Sequence, residues 1–228
     1  MRITPEVSST QIVLLGKFEP AQFTADWLTE SGLFGTTEGR AAEAKMVGKW
    51  VADISIDWCR LFCTAEKFAL ISQQAPWIRL SDFCLKLFTE LLPNTTIGYM
   101  GINRTVRFDT GSATAKDQLG RLLAPRNVWG EWGEILAADE GKGASGLSTL
   151  TLRQGHDLHD RASGHIEARI GPTEGTSVVM HVNDHYEAPG KEELAGEGDL
   201  MQRLSENFEK SIKRSDWIVS EMMKQVRP

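Results

Sequence analysis

The chain has 228 residues, 41% of them hydrophobic and 25% charged, and 31 acidic against 25 basic residues give a formal net charge of −6. Those proportions are those of an ordinary globular protein and exclude a collagen-like or wholly disordered chain. The acidic excess argues against general electrostatic binding to nucleic acid or to an anionic membrane.

Residues 11–18, Gln-Ile-Val-Leu-Leu-Gly-Lys-Phe, form an apolar run of strand length. Pro20 stands where a first helical turn tolerates a missing N–H, and Phe23, Trp27 and Leu28 recur at helical spacing until Gly32. Residues 35–48, rich in Gly, Thr, Ala and charge, read as a loop or a weak helix. Ile54, Ile56, Trp58 and Phe62 share one parity of an extended chain, and a polar break at 64–67 before the apolar run 68–71 predicts a hairpin. Ser81 is placed to cap a helix whose Cys84, Leu87, Phe88 and Leu91 fall on one face before Pro93. Residues 95–108 return to strand-like sequence, so the first half reads β-α-β-β-α-β.

In the second half a short helix is expected over 116–123, then an extended, Trp-rich stretch over 127–136. Three strands are expected at 147–152, 165–170 and 177–186, the last two joined by a Gly-Pro-Thr-Glu-Gly connection. The acidic run 187–199 reads as a solvated loop. Leu200, Leu204, Phe208 and Ile212 step by four, and Val219, Met222 and Val226 continue the stripe, which predicts a long amphipathic C-terminal helix. Glu206/Lys210 and Glu209/Lys213 are i,i+4 pairs in the favourable order. No repeat of solenoid period is visible.

Three cysteines, Cys59, Cys63 and Cys84, make an odd and sparse set, which favours a reducing interior. Cys59 and Cys63 on one strand would stand about 13 Å apart, too far to share a metal, so both read as buried thiols. No signal-like apolar segment follows Met1, and no window reaches membrane-spanning length. A cytoplasmic protein without membrane attachment is the expectation.

The catalytic motifs are weak. Residues 141–146 match G-x-G-x-x-G literally, but a polar loop precedes them and a strand follows. The dinucleotide fingerprint needs a strand before and a helix after, so this run reads as a turn. No Walker loop, nucleophile elbow or H-E-x-x-H run occurs. Glu43-Ala44-Lys45 resembles the tail of a nuclease E-x-K motif but lacks the upstream acidic residue on a strand.

All five histidines, His156, His159, His165, His181 and His185, fall within thirty residues. In an extended 177–186 segment His181, Asn183 and His185 project from one face and Met180, Val182 and Tyr186 from the other. His165 and Glu167 share a face of the preceding strand, and hairpin pairing would bring Glu167 near His181. His165, Glu167, His181 and His185 are therefore the candidate metal or acid/base residues, against the plain reading that they are the polar face of a half-exposed sheet. His156 and His159 fall in a loop stretch and read as solvated. Among seven tryptophans most are expected in the core, with Trp129 and Trp132, beside Gly130 and Gly133, as a partly exposed interaction surface.

Several local patterns combine into a resemblance. They are the opening strand followed by Pro20, the segment Ile97-Gly98-Tyr99-Met100-Gly101-Ile102-Asn103-Arg104, the segment from Val178 to Tyr186 and the closing helix. Together they resemble a sporadically distributed family of bacterial proteins of roughly 230–260 residues that has no assigned activity. Asn183, between the apolar run and Asp184, departs from that family's later strand pattern. The resemblance implies no catalytic residue; it implies horizontally exchanged genes in defence or mobile-element settings.

The sequence thus predicts an α+β protein: a split β-α-β-β-α-β half over 1–110, then a mainly antiparallel sheet and a long C-terminal helix over 111–228, intimately packed. The leading expectation is a non-catalytic binding or assembly subunit of a bacterial cytoplasmic system, with no cofactor and with a protein partner or a second copy as its ligand. The alternatives are a metal-dependent or histidine-assisted hydrolase using His165, Glu167, His181 and His185, and a small-ligand sensor with a pocket between the halves.

Overall fold

Alternation decides the first element. Thr10, Ile12 and Leu14 are buried while Gln11, Val13 and Leu15 are not, and Val7–Gly16 is a strand, β1. In the computed structural model, which describes residues 5–138, 146–155, 158, 163–188 and 200–225, β1 is joined by eight more strands in one antiparallel sheet.

After β1, a 3₁₀ turn at Pro20–Gln22 leads to α1 (Ala25–Glu30), whose Thr24 side chain accepts from the Trp27 N–H as an N-cap. A short α2 (Thr36–Arg40) precedes a four-strand meander: β2 (Glu43–Val47), β3 (Val51–Ser55), β4 (Arg60–Thr64) and β5 (Lys67–Ser72). Next come α3 (Ile78–Leu85), continued by a π-helical turn over Lys86–Leu91, and the long β6 (Ile97–Asp109). The second part contains α4 (Ala113–Leu123), α5 (Gly130–Ala138), β7 (Leu150–Gln154), β8 (Gly164–Pro172), β9 (Ser177–Glu187) and α6 (Leu200–Met223).

The strand order is β2-β3-β4-β5-β1-β6-β9-β8-β7. It divides into two similar units that meet at the centre. In each, a leading strand (β1 or β6) is followed by helices, a meander that returns beside that strand, and a closing helical segment. The two leading strands pair antiparallel over Val7↔Arg107 to Leu15↔Tyr99. This repeat of topology has no counterpart in residue spacing, which is why no internal period shows in the sequence.

Helices pack on one face of the sheet. A first core joins Ile12, Leu14, Leu61, Phe68, Leu70, Met100 and Ile102 to Phe23, Leu28, Phe83, Leu87, Leu204 and Phe208. A second joins Val106, Phe108, Ile166, Ile170, Val178, Met180 and Val182 to Leu119, Val219 and Met223. Each such side chain contributes about 1.5–3 kcal/mol when fully buried. Between the cores α6 turns small and polar residues inward, with Ser211 and Ser215 fully buried beside the sheet.

The α+β class, the large antiparallel sheet and the long terminal helix match the expectation, and several local readings need correction. The first half has four strands between its helical segments, not two. Residues 35–48 contain α2 and the edge strand β2, whose five residues are all exposed, so no burial alternation marked it. Ile54 and Phe62 lie on opposite faces: a turn from Ile56 to Cys59 intervenes, and Ile54 pairs with Leu61. Ser81 is buried within α3, which starts at Ile78. The stretch expected to be extended over 127–136 is a 3₁₀ turn at Arg126–Trp129 followed by α5, with Val128, Trp132 and Ile135 exposed, so no buried stripe marked the helix. Of the seven tryptophans only Trp58 is buried; Trp27 and Trp77 pack half-buried against the first core, and Trp50, Trp129, Trp132 and Trp217 are exposed. On α6, Lys213 does meet Glu209, at 3.5 Å, whereas the Lys210 ammonium donates to Asn207.

Candidate functional site

The face of the sheet opposite the helices belongs to neither core, and its polar side chains concentrate on β6, β8 and β9. Strand period two puts His181, Asn183, His185 and Glu187 of β9 on this face, with His165, Glu167 and Arg169 of β8 beside them. Register then decides the neighbours. His165 lies opposite His185, Glu167 opposite Asn183, and Arg169 opposite His181. On the other side of β9, Gly101, Asn103 and Thr105 of β6 face His185, Asn183 and His181.

The four sequence candidates split into separate environments. The His165 and His185 rings meet, with centroids 4.6 Å apart, and Tyr99 stacks on His185 at 5.8 Å. The third group in that cluster is Glu187, whose carboxylate oxygen lies 3.6 Å from His185 Nε2. Ligand atoms of His165, His185 and Glu187 all lie within 4.8 Å of one another. Sequence reading passed over Glu187 because it opens the acidic run 187–199, which reads as a solvated loop. The signal was its i,i+2 relation to His185.

Glu167 is not opposite His181 and does not join the cluster. Arg153 of β7 donates to its carboxylate at 2.8 Å, and this hydrogen bond holds the Glu167 pKa below the ordinary carboxylate value. His181 Nδ1 shares a hydrogen bond with Thr105 Oγ1 at 2.9 Å. Burial, then the Arg169 charge, push the His181 pKa below its ordinary value, so its imidazole is neutral at pH 7. His156 and His159 lie outside the described residues, as do most of the 141–146 glycine run and of the acidic 187–199 segment.

Gly101 lies opposite His185 beside this cluster. A Cβ there would lie 2.8 Å from Asn183 Oδ1, a buried oxygen with no hydrogen-bond partner among the described residues. The Asn183 and Asn103 side chains therefore fill the space over Gly101 in this central row.

A second feature lies away from the histidines. Leu122 and Val128, Trp129, Trp132 and Ile135 are all more than half exposed, and the two indole rings meet edge to face at 5.4 Å. Trp129 and Trp132 border a cavity of about 890 Å³ between α4, the tryptophans and the β8–β9 end of the second unit. This cavity lies within the second unit rather than between the two.

The cysteines take no part. Cys59, Cys63 and Cys84 are free and buried, and burial raises the Cys59 and Cys63 thiols to about 12. Glu43 and Lys45 sit on the exposed edge strand β2. Among the described residues, no helix is long and apolar enough to cross a membrane. No protein-family model and no curated protein matches the chain.

Proposed function

We propose that the protein is a non-catalytic binding or assembly subunit that docks a second protein chain through the Trp129/Trp132 surface. The resemblance noted above would put it in a bacterial cytoplasmic system of the defence or mobile-element kind. The observation that carries this reading is the apolar group formed by Leu122, Val128, Trp129, Trp132 and Ile135. Five large apolar side chains held out of both cores within fourteen residues mark an interaction surface more often than a monomer's ordinary exterior. Aromatic pairs of this kind are also the side chains that dominate interface energetics.

The test is light scattering after size exclusion, together with capture from native lysate, on the natural protein and on Trp129→Ser/Trp132→Ser. A stable oligomer or a discrete partner that the double substitution abolishes supports the reading. A strict monomer that retrieves nothing overturns it.

A second reading, a histidine-assisted or metal-dependent hydrolase, is favoured by one observation, the 4.6 Å approach of the His165 and His185 rings. Its other members, Glu167 and His181, are engaged by Arg153 and Thr105. Alanine at His181 and His185 with every phenotype intact would dismiss it.

A further inference from the structure

We infer that His165, His185 and Glu187 form a binding site for one divalent transition-metal ion, with zinc the species their donors fit best. The site is separate from the tryptophan surface and needs no catalytic role.

Three features of the backbone assemble it. Direct cross-strand pairing of β8 and β9 sets His165 and His185 side by side, a spacing that no rotamer search has to find. Period two returns Glu187 to the same face one step beyond His185, where its carboxylate already reaches to 3.6 Å from Nε2. Tyr99 of β6, stacked on the His185 ring, restricts the rotation of that imidazole.

The geometry is close to what an ion requires. Zinc binds imidazole nitrogen and carboxylate oxygen at about 2.0–2.2 Å, so tetrahedral ligand atoms stand roughly 3.3–3.5 Å apart. The three donor atoms here lie within 4.8 Å of one another, and Glu187, 43% exposed at its side chain, is free to swing in by the remaining distance. Two imidazoles with one carboxylate suit zinc, and also cobalt, nickel or copper; magnesium and calcium prefer all-oxygen sites. Three protein ligands leave a fourth position for water.

Equilibrium dialysis of the metal-stripped full chain against zinc tests the site, with the visible absorption of the cobalt-loaded protein as a second readout. The expected result is one zinc per chain and a four-coordinate cobalt spectrum. His165→Ala and His185→Ala should each weaken zinc binding at least about 100-fold, and Glu187→Gln about 10-fold or more. His181→Ala should bind zinc as the natural protein does, because that imidazole is turned to Thr105. His165→Gln and His185→Gln, which keep side-chain volume and polarity, repeat the measurement should the alanine variants fail to fold. Absence of stoichiometric zinc in the natural protein, or unchanged affinity in the histidine variants, overturns the site.

Discussion

Asp184, fully buried on the helix side of β9, accepts a 2.7 Å hydrogen bond from Ser211 Oγ of α6. Arg214 donates to the same carboxylate oxygen at 2.9 Å, and the Tyr186 hydroxyl pairs with Ser211 at 2.8 Å. One turn on, Asp216 meets Arg104 of β6, whose guanidinium also donates to the Ser9 carbonyl and lies over Trp77. A polar seam thus fastens α6 across the junction of the two units, between two apolar cores.

Breaking this seam one partner at a time should be costly. Arg214→Ala takes the guanidinium away from the buried Asp184 carboxylate, and a loss of about 3–5 kcal/mol is expected from such half-removed pairs. Urea unfolding of Arg214→Ala and of Asp184→Ala/Arg214→Ala checks it. The double variant should be no less stable than Arg214→Ala, since it removes the buried carboxylate together with the guanidinium. A double variant much less stable than Arg214→Ala would show that the carboxylate acts through other contacts.

His181 should titrate below the ordinary histidine value of 6.5, because burial and Arg169 both disfavour its charged form. Between the lowered folded pKa and the unfolded value near 6.5, the unfolded chain binds the extra proton, so stability falls as the pH drops through that window. Above it the group contributes no slope. Proton NMR of the imidazole gives the folded pKa directly, and His181→Gln should flatten this part of the pH–stability profile. A His181 resonance titrating at or above 6.5 would contradict the assignment.

Native thiols should be inert. With three buried cysteines, and burial holding Cys59 and Cys63 near 12, no thiolate forms at pH 8. A thiol-specific reagent should therefore label none of the three in the folded protein and all three in concentrated denaturant. Rapid labelling of one thiol under native conditions would place that cysteine at the surface.

Gly101→Ala should destabilise the protein by about 1–2 kcal/mol, since the added methyl meets Asn183 Oδ1 at 2.8 Å in the middle of the sheet. The obstacle is the end of a side chain, so Asn183→Ala in the same protein should recover most of that loss. The coupling between the two substitutions in a double-mutant cycle is the quantity to measure. Additive effects would mean that the clash is taken up by the backbone instead.

Much of this molecule was legible in residue order. The alternation of Thr10, Ile12 and Leu14, the four-residue steps of Leu200, Leu204, Phe208 and Ile212, and the one-face grouping of His181, Asn183 and His185 are local periodicities, and each reports directly on which side of an element is buried. What escaped was local structure without a burial contrast. Strand β2 is exposed along its whole length, and α5 keeps Trp132 and Ile135 in solvent, so neither carried the burial contrast that a reader of sequence depends on.

Which strands became neighbours was a tertiary decision. Period two places His165 and Glu167 on one face, but only the β8–β9 register sets His165 rather than Glu167 against a histidine, and a shift by two residues would have paired them differently. The same holds for the centre of the sheet, where β1 and β6, eighty residues and more apart, lie side by side. Residue order specifies faces because a side chain's direction is set by its own backbone; partners are specified by the packing of the whole chain, where pairing free energies of many residues are summed at once.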